Sequence, residues 1–243
     1  MSENVVLPTA PKCGSSDARN LEYESNFSTK KFFDSLISSS NPIILDVGAH
    51  RGETIKFFKE FYPDSSIFSF EPEPTNFIEL QKVAVAYRTR AFNVAVGESV
   101  ETCVFYQQDI THLGGLLPIN EGSKDSLGYA KKAKNREIVV EKTTLDLFCK
   151  NENISRVNLL KIDVQGFEVG VLEGAMQILR NTECVTVEVS LYDFYGNHTS
   201  SLLKIETIME KLGFEMWDIS KLSKNPMNFR TDWLEIVYRN RAF

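Results

Sequence analysis

Asp46 stands inside an apolar run, Ile43 to Val47, and is followed by two glycines in the stretch N-P-I-I-L-D-V-G-A-H-R-G that ends at Gly52. The run reads as a buried parallel strand, and Gly48 and Gly52 as a tight turn that lets backbone approach a ligand before an amphipathic helix opens. A strand, a glycine turn and a helix N-terminus make a nucleotide or cofactor site at the carboxyl edge of a sheet. Phosphate loops are uncharged and amide-lined because their ligand is an anion. An acid beside the ligand instead favours a cation, and S-adenosylmethionine carries a sulfonium, an ammonium and no phosphate. The alternative for Asp46 is a side chain that caps the turn.

A second acid closes the next apolar run. Ser66 to Phe70 reads as another short buried strand, and Glu71 follows it, nineteen positions after Gly52. An acid about twenty residues beyond the glycine turn is placed to take both ribose hydroxyls of an adenosine. The competing reading is a solvated loop acid before Pro72. A third strand, Ala91 to Val96, would bring its tip at Asn93 to Ala95 to the adenine.

A further set of ionisable residues interrupts two strands that should be buried. The run N-L-L-K-I-D-V-Q-G carries Lys161 and Asp163, two apart and so on one side, and V-T-V-E-V-S carries Glu188. A charge in a sheet interior must be paired or must shift its pKa, so these residues are site candidates. Lys161 with a lowered pKa, Asp163, Glu188 and His198 are the candidates for removing a proton from a hydroxyl, and a purely structural Lys161 and Glu188 pair is the alternative. A divalent metal on strand-end acids could serve instead, with too few committed ligands to assign one. The loop S-L-Y-D-F-Y-G-N-H offers Tyr192, Phe194 and Tyr195 to stack on a sugar or other ring, two of them being expected in the core.

These residues need a scaffold of alternating strands and helices. Helical spacing predicts elements from Ser28, after Gly52 (Ile55, Phe58 and Tyr62 inward), over Thr75–Tyr87 (Phe77, Leu80, Ala84 and Tyr87 inward), over Phe167–Leu179 (Phe167, Val171, Ala175 and Ile178 inward) and over Ser200–Leu212. Strands are expected at Val157–Asp163, Cys184–Val189, Phe214–Ile219 and Trp233–Tyr238. Seven strands with interleaved helices make a single doubly wound α/β sheet. Residues 1–26 read as a mobile polar tail and residues 27–243 as one domain. Between the β segments Thr102–Gln107 and Glu137–Lys142 the rhythm breaks, and the glycine-rich insertion at about residues 107–136 is expected to be a flexible lid or specificity loop.

The chain has 243 residues, 42% hydrophobic and 25% charged, with a net charge of -6. That balance argues against a nucleic-acid partner held by bulk electrostatics. The basic run Lys131 to Arg136 reads as a solvated loop, its alternative being a docking patch for a phosphate-bearing substrate. Four dispersed cysteines, Cys13, Cys103, Cys149 and Cys184, read as free thiols in a reducing compartment. With no apolar run suited to a signal peptide or a membrane span, a cytoplasmic protein is expected, and the N-x-T at Asn197 is then coincidental.

The motifs I-L-D-V-G-A-H-R-G, F-E-P-x-P-x-N-F, T-L-D at Thr144 to Asp146, and L-L-K-I-D-V-Q-G-F-E-x-x-V-L-x-G-A together resemble the FkbM-type S-adenosylmethionine-dependent methyltransferases, from about Asn41 to the C-terminus. The resemblance implies a Rossmann-like class I methyltransferase fold, with strand order 3-2-1-4-5-7-6 and an antiparallel last strand. It implies O-methylation of a hydroxyl on a sugar, glycan or glycosylated metabolite, with S-adenosylhomocysteine as product. Asp46, Gly48 and Gly52 would form the methionine-end loop, Glu71 would bind ribose, and Asp163 would line the methyl-transfer site. Ala49, His50 and Thr54 on the loop, Pro72, Asn93, Ala95 and Gln165 complete the expected cofactor-binding set. His50 stands where Asn is more usual, and Gln165 where Glu is more usual. Two other functions fit the architecture: a cofactor-binding module that acts through a partner, and a nicotinamide-dependent oxidoreductase. The oxidoreductase requires a loop glycine at the position of His50.

Overall fold

A computed structural model of the chain describes residues 16–123, 125, 128–196 and 200–243. The apolar runs form the expected strands: β1 (Ile43–Val47), β2 (Ser66–Phe70), β3 (Arg90–Phe92), β4 (Ala95–Val96), β5 (Glu101–Gln107), β6 (Arg136–Thr143), β7 (Val157–Ile162), β8 (Thr182–Ser190), β9 (Phe214–Lys224) and β10 (Thr231–Asn240). Seven of them make one sheet in the order β3-β2-β1-β7-β8-β10-β9. Its strands run parallel except β10, which is antiparallel to both neighbours. Counted along the chain this is 3-2-1-4-5-7-6, the order and the antiparallel last strand that the resemblance implies.

Alternation along the strands sorts the core onto two faces. Ile44, Ile67, Leu159, Cys184 and Val237 pack with Phe33, Ile55, Phe58 and Leu80 on one side. Leu45, Phe70, Leu160, Ile162, Val185 and Ile236 pack with Leu172, Leu179 and Ile205 on the other. Each such fully buried side chain contributes about 1.5–3 kcal/mol. The helices carrying these faces are α2 (Thr29–Asp34), α3 (Glu53–Phe61), α4 (Pro74–Ala86), α5 (Leu145–Asn151), α6 (Glu168–Glu173) and α7 (Leu202–Lys211), preceded by α1 (Ala18–Asn26). On the first face the apolar residues give way to polar ones toward the carboxyl edge of the sheet. Ile44 is followed by Asp46, Leu159 by Lys161, and Cys184 by Thr186 and Glu188.

The chain departs from its sequence pattern in several places. Residues 18–26, expected within a mobile tail, form α1, capped by Asp17, whose carboxylate accepts from the Arg19 N–H. No side chain of α1 is buried, so it adds nothing to the core. The expected strand Ala91–Val96 divides: β3 stays in the main sheet, whereas β4 joins β6 and β5 in a second, three-stranded sheet. The division falls at Asn93, whose side-chain amide donates to the carbonyls of Glu71 and Pro72. Tyr87 is exposed rather than core. The helix expected over Phe167–Leu179 stops at Glu173, and Phe167 is only half-buried. There the chain presses on the β4–β5 connection, so that a Cβ on Gly174 would lie 1.9 Å from the Gly97 carbonyl oxygen.

The T-L-D motif is explained by this break. Thr144 caps α5 by accepting from the Leu147 N–H. Asp146 accepts from the N–H groups of Gln177 and Ile178, which open the 3-10 turn Ile178–Asn181 after α6. Asp146→Ala is expected to lower stability by about 1 kcal/mol, the usual cost of a lost cap. Thermal denaturation would register it as a lower melting temperature with ligand binding unchanged.

Candidate active site

A cavity of about 440 Å³ opens at the carboxyl edge of the sheet, where β1, β2, β7 and β8 end. Open α/β sheets bind ligands at this edge, and the volume suits a small-molecule site. One end is walled by the β1–α3 turn and by Glu71, Pro72 and Ala95. The far end is walled by Tyr192, Phe194 and Tyr195 from the β8–α7 connection and by Lys221, Asp232 and Trp233 from β9 and β10. Lys161, Asp163, Gln165 and Glu188 lie between the two ends.

Lys161 is the electrostatic hub beneath the cavity. It is 2% exposed, lies 3.4 Å from an Asp46 oxygen and 3.6 Å from an Asp163 oxygen, and reaches the Gly48 carbonyl oxygen at 3.4 Å. Burial alone would drive its pKa down, but the two carboxylates outweigh burial and hold it above the ordinary lysine value. The expected base with a lowered pKa is therefore corrected: Lys161 stays protonated and takes up no proton. Its ion pairs are with Asp46 and Asp163, not with Glu188. Asp46 is also corrected. It is fully buried under the turn, beside Lys161, Ser69 and Thr54, and does not reach the cavity wall. Burial pushes its pKa up against the pull of Lys161. Asp46 steadies the turn from below, and the acids that face the ligand space are Glu53, Glu71, Asp125, Asp163, Glu188 and Asp232.

The turn is held by its own backbone donors. The N–H groups of Gly48 and Ala49 both donate to the Phe70 carbonyl, that of His50 to a Glu71 oxygen at 2.9 Å, that of Arg51 to Glu53, and that of Gly52 to the Ala49 carbonyl. A pyrophosphate would meet amides already engaged and acids on either side, so the turn is not a dinucleotide cradle. Gly48 is required twice over: its φ is +81°, and a Cβ would fall 1.8 Å from the Asp163 carbonyl oxygen at the end of β7. His50 takes a left-handed φ of 48°. Its ring pairs with Glu53 at 3.3 Å and with the Thr111 hydroxyl at 2.9 Å. Glu71 is buried, accepts the N–H groups of His50 and Glu73, and burial raises its pKa to about 8.

The described residues of the insertion pack as a roof over the cavity. Gly115 bridges to Tyr106, and Ile119 bridges to Tyr195. Ile119, Ala130, Phe194 and Tyr195 form a small apolar cluster with Leu113, Leu117 and Tyr129. The 3-10 turn Thr111–Leu113 brings Thr111 and His112 onto His50 over the cavity. None of Lys131 to Arg136 lines the cavity; Lys131 and Lys132 end the 3-10 turn Ala130–Lys132, and Arg136 opens β6 and pairs with Asp109. Among the described residues, no group of three or more His, Cys, Asp or Glu side chains is arranged to hold a metal ion.

Comparison with known proteins now decides the family. The sequence profile described as the Methyltransferase FkbM domain matches residues 46–216. The chain belongs to the FkbM methyltransferase family. It is thereby classed with the S-adenosylmethionine-dependent O-methyltransferases. It is similar to the 2-O-methyltransferase NoeI of Sinorhizobium fredii (strain NBRC 101917 / NGR234), at 26% identity over 66% of this chain and 68% of that protein. It is also similar to Methyltransferase 1 of Beauveria bassiana (strain ARSEF 2860), at 27% identity over 76% of each. Among solved structures, a methyltransferase FkbM from Methylobacillus flagellatus KT superimposes with a TM-score of 0.51 at 14% identity. That match covers 91% of this chain but only 55% of the other, and it speaks for the fold.

Within the FkbM domain, the tertiary structure gathers most of the expected site. Gly48, Ala49, His50, Thr54, Glu71, Pro72, Ala95, Lys161, Asp163, Gln165 and Glu188 all line the cavity. Gly52 does not; it starts α3 with a φ of 88° against Val83. Asn93 supports the loop after β2. His198 and Asn197 lie outside the described residues. Glu53, Thr111, His112, Tyr129, Lys221, Asp232 and Trp233 join the wall without having been singled out. Glu235 was missed too, although an acid inside T-D-W-L-E-I-V-Y is the same kind of intruder as Glu188. No helix among the described residues is long and apolar enough to cross a membrane.

Proposed function

We propose that this FkbM domain transfers a methyl group to a hydroxyl of a sugar, glycan or glycosylated metabolite, with the donor at the Glu71 end of the cavity and the hydroxyl at Glu188. The observation that carries the reading is the cavity's two unlike ends, an acid-lined glycine turn at one and an aromatic wall at the other, with carboxyl groups between them. The donor set fits S-adenosylmethionine. The turn amides are engaged internally, the groups that face the ligand there are acids rather than phosphate-binding donors, and the turn leaves no room for a Cβ at Gly48. The likeness to the rhizobial relative, a 2-O-methyltransferase, supports an oxygen as the methylated atom.

When bound, the donor supplies an electrophilic methyl carbon: the substrate oxygen bonds to it as the C–S bond breaks, the electron pair stays on sulfur, and the hydroxyl proton must go elsewhere. Glu188 takes that proton. Lys161 is protonated and shielded, and Asp163 is committed to Lys161 and to the Gln165 amide at 2.7 Å. Tyr195, whose hydroxyl donates to the Gln165 side chain, is held protonated by burial and by the acids around it. Gln165 is in this way fixed from both sides. The rings of Tyr192, Phe194 and Tyr195 exclude water and offer faces to a sugar. On the acceptor side Glu188, Asp125 and Asp232 outnumber Lys221, so a neutral acceptor is favoured over a phosphate-bearing one.

Isothermal calorimetry with S-adenosylhomocysteine tests the donor end. Glu71→Ala is expected to weaken binding by about 10–100-fold, the loss of charged hydrogen bonds to the ribose. Ribose hydroxyls donate to the ionised carboxyl, so binding should draw Glu71 below its ligand-free value of about 8 and release a proton. Affinity then rises with pH up to about 8 and levels off above it. Unchanged affinity in Glu71→Ala would remove the donor placement. Mass-spectrometric detection of an O-methyl sugar on a neutral glycoside, against none on the aglycone, tests the acceptor.

A further inference from the structure

Glu235 lies at the centre of β10 with no surface exposure, and neither of its carboxyl oxygens has a hydrogen-bond partner. The site described above makes no use of it. Strand register places it directly opposite Glu188 on β8 and opposite Lys221 on β9. On the other side of β8, Ile162 pairs with Val187, so Asp163 and Glu188, the next residues on each strand, leave the ladder side by side. Asp163, Glu188, Glu235 and Lys221 thus form one row across β7, β8, β10 and β9 on a single face of the sheet. Directly opposed residues on antiparallel strands have Cβ atoms about 4.5–5.5 Å apart, close enough for like charges to interact strongly.

We propose that Glu235 is a positioning residue for the proton-accepting group: directly opposite Glu188 on the same face, its charge opposes a second one there and so sets the pH at which Glu188 becomes a carboxylate facing the substrate hydroxyl. The inference rests on the assignment of Glu188 as base. Two carboxyls in one buried row cannot both ionise at low cost, so their protons leave in two coupled steps. Glu235 is the more enclosed of the two and has Lys221 and Ser220 beside it, and Lys161 and Asp163 also act on it from β7. Burial raises its pKa to about 7. Glu188 faces Asp163, Glu168 and Glu235, with Lys161 the opposing cation, and Tyr195 lies over it. Burial first, and then these acids, carry its pKa well above the ordinary value. A carboxylate raised in this way is a stronger base once ionised, and its neighbour decides when that happens.

The test is the titration of the Glu188 carboxyl carbon in ligand-free protein labelled with ¹³C-glutamate, the resonance being assigned by its loss in Glu188→Gln. Glu235→Gln removes the neighbouring charge and keeps the shape. It should shift the Glu188 midpoint toward acid by about one pH unit, the coupling typical of interacting carboxyl pairs. The acid limb of kcat/KM should move in the same direction. Should Glu235→Gln not fold, Glu235→Met removes the same charge at similar volume and is expected to move both readouts in the same direction. A Glu188 midpoint that stays in place in the variant that folds overturns the proposal. The base assignment fails separately, by wild-type turnover in Glu188→Gln. A moved carbon midpoint with an unmoved rate limb would keep the coupling and overturn its role in proton acceptance.

Discussion

Replacing Glu188 with glutamine is expected to lower kcat by roughly 10²–10⁴-fold, the range lost with a general base, while calorimetry finds the affinity for S-adenosylhomocysteine within about twofold of the parent. Three features lead to that expectation. Glu188 lines the cavity between the glycine turn and the aromatic wall. The other groups near it are engaged: Lys161 is paired and protonated, Asp163 holds Lys161 and Gln165, and Tyr195 is held protonated. Glu188 itself belongs to the row of acids that burial and mutual repulsion keep partly protonated. In the parent enzyme, protonated Glu188 cannot accept a proton, so kcat/KM should fall on the acid side as pH drops through its raised value. Glu188→Gln should lose that limb. A variant with near-parental turnover would place proton removal elsewhere. Loss of turnover together with loss of product binding would mean that the substitution damages the donor end and reveals nothing about the base.

Lys161→Met should be the most destabilising single change, lowering unfolding free energy at neutral pH by about 3–5 kcal/mol, because breaking a buried ion pair leaves a charge uncompensated. Asp46 is fully buried and faces Lys161, and nothing else nearby carries a positive charge against it. The pH dependence has a definite sign. The raised pKa of Lys161 means that its contribution is fully present below the lysine value of an unfolded chain and is lost only at strongly alkaline pH. In Lys161→Met, Asp46 keeps its burial and loses its cation, so its folded pKa rises further above the unfolded value of 3.8. The variant should lose stability as pH rises above about 4, where the unfolded chain ionises and the folded one cannot. Urea denaturation at pH 4.5 and 7.5 should therefore find a larger gap between parent and variant at the higher pH. An equal gap would show that packing alone explains the loss. Lys161→Met combined with Asp46→Asn should recover part of the stability, since both partners are then neutral.

Much of this protein is decided by local order in the chain. The runs Ile43–Val47 and Ser66–Phe70 become strands with those same limits, because five-residue stretches rich in β-branched and aromatic side chains and bounded by turn residues have few other uses. Glycines at 48 and 52 determine the turn, since both adopt the left-handed backbone that other residues avoid. Acids and a lysine inside apolar strands mark the site, because packing cannot account for them. The motifs that run from Asp46 through Ala175 are contiguous stretches of this kind, and the family could be recognised from them.

Tertiary structure alone decides what each of those charges faces. The spacing of Lys161 and Asp163 shows that they share a side of a strand, but β7 neighbours both β1 and β8, and it is register that sets Asp46 beside Lys161 on one side and Thr186, rather than Glu188, beside it on the other. Registry between β8, β10 and β9 aligns Glu188 with Glu235 and Lys221, residues that lie far from it in the chain. The break after Glu173 comes from Gly174 meeting Gly97, a contact that helical spacing cannot show. Division of the expected third strand at Asn93, and the packing of residues 111–119 and 129–133 into a roof, follow from hydrogen bonds and apolar contacts with distant segments. Periodicity reports which side of an element is buried; only the packed sheet reports which neighbour lies there, and for a buried charge the neighbour sets both its protonation and its role.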